Sequence, residues 1–447
     1  MSDQIADAMP KAAFAVTNRL VLSIAVPMTL AFLTTPLLGI VDTAVVGQLG
    51  DAALLGGLAV GAITFDILLA TFNFLRTGTT GLVAQAMGRE DVTEEQAIFW
   101  RALVISLFAG LAMIAAAPFI IVTAGAFFAP EQAVNDALAA YVGIRILAAP
   151  LSLVNYAILG YVLGRGEGAL GLFLQLVLNG TNIVLSILFG LVMGLGLEGV
   201  AWGTVCGEFA GAALGMALLL RRFGMAGFVP LVRVFDWPAL GAMMVLNRDI
   251  MIRTFVLLGA FALLARQGAQ YGTVTLAANA VLMNFFAVAG FFLDGFAAAA
   301  EQLAGRAIGA RNATAFGRTV RLTAVWGFGL ALVATGVFLL AGPSFIAFIT
   351  TAPGVREVAS IYLVWAAVTP ISGVLAFQMD GVFIGATWSR DMRNMMLLSF
   401  AFYLAALLGL GALFGNHGLW AALHVFLLAR GASLYLMMRR RAAVAFA

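Results

Sequence analysis

A single carboxylate interrupts a long apolar stretch near the start of the chain. Between Arg19 and Asp51, the run 20–50 carries one charge, Asp42. A helix needs only about 20 apolar residues to cross a bilayer, and a lone acid in such a helix marks a transport or proton-handling site by default. Asp42 precedes Asp51 by roughly 13 Å of helix, at about 1.5 Å per residue. The alternative is that Asp42 lies near the helix end and reaches interfacial water.

Polar residues recur along a later apolar stretch. Gln175, Asn179, Asn182 and Ser186 are separated by 4, 3 and 4 positions, so on a helix they share one face. A polar stripe at membrane depth must face protein or water rather than lipid. The stripe therefore favours a lined cavity, with hydrogen bonding between helices as the alternative. Leu178 and Val184 lie off the stripe and are expected to point away from the cavity. Thr204 lies in the next apolar stretch and shares a helical face with a glutamate four residues later.

The elements that position these residues are membrane helices. Of 447 residues, 63% are hydrophobic and 10% are charged, with a mean hydropathy of +1.05. A soluble domain of this length could not bury so much apolar surface. The hydropathy pattern predicts twelve transmembrane helices, at 20–46, 52–77, 97–128, 134–164, 169–194, 199–220, 237–264, 273–300, 319–348, 358–386, 392–414 and 419–438.

Several function classes are disfavoured by what the sequence lacks. One cysteine, Cys206, excludes an internal disulfide, and two histidines are too few for a histidine-based metal or catalytic cluster. No metalloprotease, phosphate-loop or nucleophile-elbow motif occurs. Residues 1–18 do not read as a cleaved signal peptide. We therefore expect no enzyme activity, no bound cofactor or metal, and no nucleic-acid partner.

The chain reads as two similar halves. The segment 83–89 is similar to 304–310, which lies 221 residues later, and three further pairs share this displacement: Tyr141 with Tyr362, Gly160 with Gly381, and Gly164 with Gly385. Duplicated helix bundles are typical of secondary transporters, and six helices per half make the repeats parallel. We expect an all-α polytopic membrane protein of two pseudo-symmetric six-helix lobes, 1–222 and 237–447, joined by a cytoplasmic linker at 223–236.

The repeat exposes a difference between the halves. At the displacement of 221, Asn73 corresponds to Asp294, and the threonine at 80 corresponds to Glu301. Asp380 corresponds to a leucine. The acids therefore differ between the halves, which indicates that the lobes have divided their roles. Elsewhere, the spacing of four between Asp249 and Arg253 predicts an ion pair within one helix.

Basic residues predict the orientation in the membrane. They concentrate at the N-terminus, in the even-numbered loops and at the C-terminus, whereas the odd-numbered loops hold only Arg266 and Arg356. Short loops rich in lysine and arginine stay in the cytoplasm. Both termini are therefore expected in the cytoplasm.

Short motifs over almost the whole chain resemble the multidrug and toxic compound extrusion (MATE) family, and in particular its DNA-damage-inducible (DinF) branch. They comprise Val41-Asp42-Thr43, Gly47-Gln48-Leu49-Gly50, Phe74-Leu75-Arg76, Asn182-Ile183-Val184-Leu185, Leu246-Asn247-Arg248-Asp249-Ile250, Leu293-Asp294-Gly295-Phe296 and Asp380-Gly381.

The resemblance implies two six-helix lobes around a central cleft, alternating access, and export of amphipathic, often cationic compounds driven by inward proton or sodium movement. It further implies that Asp42 is the coupling carboxylate of a site shared with Asn179, Asn182 and Thr204, and that helix 1 bends at Pro27. Asp380 would match an acidic position that some members use for cations. Many members have aspartate where this chain has Ser186, so a sodium site is less expected.

Together these observations predict a secondary active multidrug exporter in a bacterial inner membrane, acting as a monomer. The coupling ion is expected to be H⁺, with Na⁺ as the alternative. The substrate cavity is expected to be lined by Gln175, Ser186, Asn73, Asp294, Glu301 and Asp380. Three other functions remain open: a lipid-linked precursor flippase, which a strongly basic cavity would favour; a membrane-embedded lipid-modifying enzyme with a metal held by paired acids; and a passive channel.

Overall fold

The protein is a bundle of long helices. The computed structural model describes residues 14–128, 131–224 and 229–447, and within these ranges it contains no strand. The N-lobe helices are α1 (Asn18–Gly47), α2 (Ala52–Phe72 and Phe74–Gly88), α3 (Val92–Ala115 and Ala117–Phe128), α4 (Gln132–Arg145 and Ala149–Gly164), α5 (Gly168–Ile187) and α6 (Gly196–Phe223). The C-lobe helices are α7 (Trp237–Gln270), α8 (Thr273–Gly309), α9 (Ala313–Ile349), α10 (Pro353–Gly385) and then Ser389–Ala445, which non-helical backbone at Gly415 divides into α11 (389–414) and α12 (416–445).

The predicted helical fold of two six-helix lobes is confirmed. Ten helices in the described part of the chain are long and apolar enough to cross a membrane, with α11 and α12 counted there as one. The remaining helix, α7, is 34 residues long but carries several charges. Of the predicted linker 223–236, residues 225–228 lie outside the described ranges, and Leu231–Val234 forms a short helix. Residues 1–13, on which the signal-peptide prediction largely rests, also lie outside them.

Prolines interrupt some helices and not others. Pro150 sits in the first turn of the second segment of α4, just after a 3₁₀ turn at Ile146–Ala148. Proline has no backbone N–H and its ring clashes with the carbonyl four residues earlier, so the helix restarts there. By contrast, α1 is continuous as a helix through both Pro27 and Pro36. A bend at Pro27 stays a prediction.

The repeated glycines have a common physical cause. A Cβ atom at Gly160 would lie 2.6 Å from the carbonyl oxygen of Arg76, because α4 packs directly on the backbone of α2. At the equivalent position in the C-lobe, a Cβ at Gly381 would lie 2.2 Å from the carbonyl oxygen of Ala297. Arg76 and Ala297 are themselves 221 residues apart. Both halves therefore repeat the same close helix contact, which only glycine allows.

The two lobes meet at a contact that we call the seam, formed by Gln85 and Gly88 of α2 and by Arg306 and Gly309 of α8. A Cβ at Gly88 would lie 2.2 Å from the Arg306 carbonyl oxygen, and a Cβ at Gly309 would lie 2.0 Å from the Gln85 carbonyl oxygen. Gln85 and Arg306 are also repeat equivalents. The contact is therefore reciprocal, as expected where an axis relates two parallel repeats.

Two hydrogen bonds beside the seam end on equivalent acceptors in the two halves. The Gln85 amide donates to the carbonyl oxygen of Gly385 at 2.9 Å, and the Gln302 amide donates to the carbonyl oxygen of Gly164 at 3.3 Å. Gly164 and Gly385 are repeat equivalents. All of these residues lie at the ends of helices that lead into the arginine-bearing loops. The lobes are therefore closed on that face, which we call the arginine-rich face.

Candidate functional site

A central cavity of about 570 Å³ lies between the lobes, on the side of the seam away from the arginine-rich face. Six of the predicted site residues line it: Asn73, Gln175, Asn179, Asp294, Glu301 and Asp380. Nine acidic or arginine side chains of the described residues face it, namely Asp66, Glu208, Asp294, Glu301, Asp380, Arg76, Arg145, Arg253 and Arg430. Because acids and arginines are interspersed, the cavity is neither strongly acidic nor strongly basic.

A second polar cluster lies behind the N-lobe wall of this cavity. The Asn182 amide donates to the Thr204 hydroxyl at 3.2 Å, and the Ser186 hydroxyl donates to the Asn182 side-chain oxygen at 3.1 Å. All three side chains are buried. Close packing of α6 on α5 makes this possible, because a Cβ at Gly203 would lie only 2.6 Å from the Ser186 nitrogen.

Asp42 of α1 lies beside this cluster. The carboxylate is 8% exposed, and its Oδ1 atom has no hydrogen-bond partner among the described residues. Ser186 lies at hydrogen-bonding reach of the acid, and Arg145 lies further away within electrostatic range. No arginine of the described ranges forms a salt bridge with Asp42 at 4.0 Å or less. The predicted grouping of Asp42 with Asn182 and Thr204 is thus present in space.

Asn179 connects the cluster to the cavity. Its side chain lines the cavity, and its amide donates to the hydroxyl of Thr34 on α1. Asn182, one turn further along α5, is not part of the cavity wall. Neither is Ser186, which was predicted to line the cavity but is fully buried among other helices. The polar stripe of α5 therefore serves two purposes: one part faces the cavity, and the other part bonds to neighbouring helices.

The sequence spacing misassigned one residue of this helix. Leu178 was expected to point away from the cavity because it lies off the polar stripe, but it lines the cavity and packs against Gly211 of α6. Val184, also expected to point away, is 62% exposed on the outer surface. The expectation for Leu178 was wrong because the cavity wall is wider than the polar stripe.

The predicted ion pair between Asp249 and Arg253 is also wrong. Arg253 instead forms a salt bridge with Asp380 of α10, and Arg430 of α12 bonds to the same carboxylate oxygen. Asp249 is fully buried and pairs with Arg393 at 2.8 Å, with Ser389 donating a further bond at 3.1 Å. Asp380 is thus neutralised by arginines of two other helices, and Asp249 pairs with Arg393 of α11 and with the adjacent Arg248 at 3.2 Å rather than with Arg253.

Two acids of α8 line the opposite wall. Asp294 and Glu301 face Arg76 of α2, which lies within electrostatic range of both. Glu301 also lies at hydrogen-bonding reach of Thr80, its repeat equivalent, and its Oε1 atom is buried without a hydrogen-bond partner among the described residues. Arg76 itself bonds to the Asn73 side chain at 3.2 Å. The expected placement of both acids on one cavity face is therefore present.

Sequence reasoning missed the arginines of the cavity. Arg145 donates to the hydroxyl of Tyr141 at 2.8 Å, and its guanidinium lies 4.4 Å from the ring centre of Phe65. Arg76, Arg253 and Arg430 were likewise given no role in the cavity. The signal that could have found them is the rule applied to Asp42: a charge inside an apolar span marks a functional position.

Other parts of the described structure contribute less to the site. A second cavity of about 620 Å³ opens near the arginine-rich face, between α3, α7 and the start of α11, and contains none of the predicted site residues. No group of three or more His, Cys, Asp or Glu side chains in the described ranges is arranged to hold a metal ion.

Comparison with known proteins agrees with this architecture. DNA damage-inducible protein F of Escherichia coli (strain K12) is 37% identical over 420 residues, which cover 93% of this chain and 91% of the relative. Probable multidrug resistance protein NorM of Deinococcus radiodurans is 28% identical over 443 residues, 93% of this chain and 94% of the relative.

A solved structure and a family model extend the comparison. The structure is described as an outward-facing conformation of a multidrug resistance MATE family transporter; it superposes with a TM-score of 0.86 at 16% identity over 96% of both chains, which shows the shared fold. The family model MatE matches residues 27–213 and 250–409. The resemblance found in the sequence motifs is confirmed, and this chain belongs to the MATE family of membrane transporters.

Proposed function

We propose that this protein exports small amphipathic compounds by alternating access, coupled to inward proton movement through Asp42. The setting of Asp42 carries the proposal. The carboxylate is buried beside neutral polar groups, with one oxygen lacking a hydrogen-bond partner among the described residues. A charge held there without a contacting cation is costly. Taking up a proton removes that charge, so protonation and conformation are coupled.

The mechanism follows from where Asp42 sits. It lies on α1, beside Ser186 of α5, and α1 also bonds to Asn179 at the cavity wall. Protonation changes the interactions between α1 and α5, and thereby the balance between inward- and outward-facing states. In an antiporter the proton and the substrate oppose each other's binding, and because coupling between two bound species is reciprocal, each weakens the other by the same factor.

The proton is favoured over Na⁺ by the donor set. Ser186 occupies the position at which many family members have aspartate, so Asp42 is the one carboxylate of the cluster formed with Asn182, Ser186 and Thr204. A single carboxylate is sufficient for one proton. A cation site would have to rely largely on neutral oxygens.

Vesicle transport distinguishes these possibilities. The purified protein in liposomes should move a fluorescent amphipathic substrate when a pH gradient is imposed, and should not do so with a sodium gradient alone. Transport driven by a sodium gradient alone would show that the coupling ion is Na⁺ and not H⁺. Movement down the substrate's own gradient that is indifferent to both ions would indicate a passive channel.

The same proposal includes a monomeric protein of a bacterial inner membrane with both termini in the cytoplasm. Reporter fusions test it: those after Arg89, Arg165, Arg222, Arg311 and Arg393 should read cytoplasmic, because these arginines flank the even-numbered loops. A fusion near Glu131 should read external. Two or more reversed signals contradict this topology.

A lipid-linked precursor flippase is the second candidate. The four arginines of the cavity favour it, since they could hold a phosphate group. The five carboxylates of the same cavity oppose it. Reconstituted protein that moves a phosphate-linked lipid between leaflets, but no soluble amphiphile, would support this candidate over export.

A further inference from the structure

Two arginines converge on one acid at the C-lobe wall of the cavity. Arg253 and Arg430 both contact the same oxygen of Asp380, and the side chains of Arg430 and Asp380 are 3% and 7% exposed. The Nε atoms of both arginines and the second carboxylate oxygen are buried without a hydrogen-bond partner among the described residues. The group therefore holds two guanidinium charges against one contacting carboxylate, with two unused N–H donors. We call it the arginine pair.

The other charges that face the arginine pair do not contact it. Asp294 lies within electrostatic range of both arginines, Glu301 lies within range of Arg253, and Arg76 adds a third cation opposite these acids. Neither Asp294 nor Glu301 forms a salt bridge among the described residues. Asp294 is exposed to the cavity, whereas Glu301 is buried with one oxygen lacking a hydrogen-bond partner among the described residues. In direct contact, the arginine pair therefore carries one guanidinium charge more than the single carboxylate of Asp380 balances.

An apolar surface continues from the arginine pair along the cavity. On α7, Leu257 and Phe261 follow Arg253 at intervals of four residues, so the three side chains share one helical face, and all three line the cavity. Phe261 packs edge-on against Phe286, with ring centres 5.4 Å apart, and Phe377 follows at 6.4 Å from Phe286. A guanidinium group at one end and aromatic rings along the wall match a molecule with an anionic head and an apolar body.

We infer that the C-lobe side of the cavity is a subsite for the anionic group of an amphiphile, a carboxylate, sulfonate or phosphate bound by Arg253 and Arg430, with the apolar body against Phe261, Phe286 and Phe377. Guanidinium groups bind such oxyanions through paired, charge-assisted hydrogen bonds. The inference rests on the proposed export function for its biological meaning. It changes the expected substrate class, because Asp380 is occupied by arginines and is not available to a cation.

Equilibrium binding to the full-length protein in nanodiscs tests the subsite. The probes are octanesulfonate and octyltrimethylammonium, which have the same alkyl chain and opposite charge, with empty nanodiscs as the blank. At one pH, octanesulfonate should bind at least about 10-fold more tightly, a factor that corresponds to about 1.4 kcal/mol. Equal or tighter binding of the ammonium compound would overturn the inference. So would equal binding of sodium sulfate, which has the anion without the apolar body.

Variants test whether octanesulfonate binds at the arginine pair. Arg430→Gln removes the surplus cation and leaves the Arg253–Asp380 pair intact, so it should lower octanesulfonate affinity at least about 10-fold and leave the ammonium compound unchanged. Arg441→Gln, on the same helix but paired with Asp391 outside the central cavity, is the matched control and should bind like the wild type. Unchanged octanesulfonate affinity in a folded Arg430→Gln protein contradicts the inference. If that variant does not fold, the comparison of octanesulfonate with octyltrimethylammonium in the wild-type protein still tests the subsite.

The lipid composition of the nanodiscs distinguishes a lipid headgroup from a soluble amphiphile as the source of the anionic group. In nanodiscs containing an anionic phospholipid, weaker octanesulfonate binding assigns the subsite to a lipid headgroup, and unchanged binding assigns it to a soluble amphiphile; each supports the subsite. The titration uses no ion gradient. If proton-driven transport is not observed, the binding result for the subsite is unaffected. If octanesulfonate does not bind as expected, the proposal of proton coupling is unaffected.

Discussion

The two lobes hold their key acids in opposite ways. Asp42 in the N-lobe lies beside neutral groups such as Ser186, without a salt bridge to any described arginine. Asp380 in the C-lobe is held by Arg253 and Arg430 at once. An acid beside neutral groups can gain or lose a proton at modest cost, whereas an acid between two guanidinium groups is fixed as a carboxylate. In the proposed mechanism, the duplicated fold thus has a proton switch in one half and a fixed charge network in the other.

The strongest test of this contrast is Asp42→Asn. The amide keeps the size and hydrogen-bonding capacity of the acid but does not titrate, so the protein should fold while gradient-driven efflux falls at least about 10-fold. In the wild type, substrate affinity should fall as the pH drops through the titration of Asp42, by up to about 10-fold per pH unit for one competing proton. The variant should show a flat profile.

Substrate affinity measured against pH in the wild type and in Asp42→Asn distinguishes a coupling role of Asp42 from a purely structural one. A wild-type slope retained in Asp42→Asn would rule out Asp42 as the coupling site and make Asp380 the next candidate. If Asp42 only holds α1 against α5, the variant should instead lose stability or rate while the slope remains.

Asp380→Asn should mainly affect stability. It leaves Arg253 and Arg430 buried without their counter-charge, and breaking a buried ion pair costs about 3–5 kcal/mol. Asp391→Asn is the matched control, because it breaks the half-exposed pair with Arg441, worth about 1 kcal/mol or less. Thermal unfolding of both variants in the same detergent measures the difference. Equal melting temperatures would show that Asp380 does not stabilise the C-lobe through its salt bridges with Arg253 and Arg430.

Asp294→Asn and Glu301→Gln should change which substrates are carried more than how transport is driven. Both acids line the cavity on α8, away from Asp42. We expect a shift of about 10-fold in relative affinity between cationic and anionic substrates, with the pH dependence retained. Efflux of a substrate panel from vesicles measures it. Normal export of every substrate by each variant would make these acids structural.

Cysteine labelling resolves the smaller difference within the α5 stripe. In a Cys206→Ala background, Asn179→Cys should react several-fold faster with a small polar thiol reagent than Asn182→Cys, because only Asn179 lines the cavity. Val184→Cys, on the outer surface, should react least because lipid excludes the reagent. Equal rates at all three positions would favour the alternative in which the stripe only bonds helices together.

The fold was predictable because its causes are local. Apolar runs give the helices, and the duplicated glycines Gly160 and Gly381 give the repeat, since each allows the same backbone contact. The α5 stripe was found for the same reason: four polar residues at helical spacing have few arrangements in a membrane.

The charge network was not predictable because its contacts are distant in sequence. Arg253 has an acid four residues before it, yet its partner Asp380 is 127 residues later. Sequence spacing does not distinguish Asp249 from Asp380 as the partner of Arg253, because three-dimensional packing selects between them. Leu178 shows the same limit: periodicity gives the direction of a side chain but not the width of the cavity it meets.

The seam determines where the membrane is electrically insulated. Gly88 and Gly309 press against the backbone of the opposite lobe so closely that a single carbon atom would not fit, so no file of water can cross there. The polar cavity on the other side brings the potential of the compartment that it faces deep into the protein. Most of the transmembrane voltage therefore falls across this thin layer of backbone, where each charge that crosses gains or loses about 2.3 kcal/mol per 100 mV.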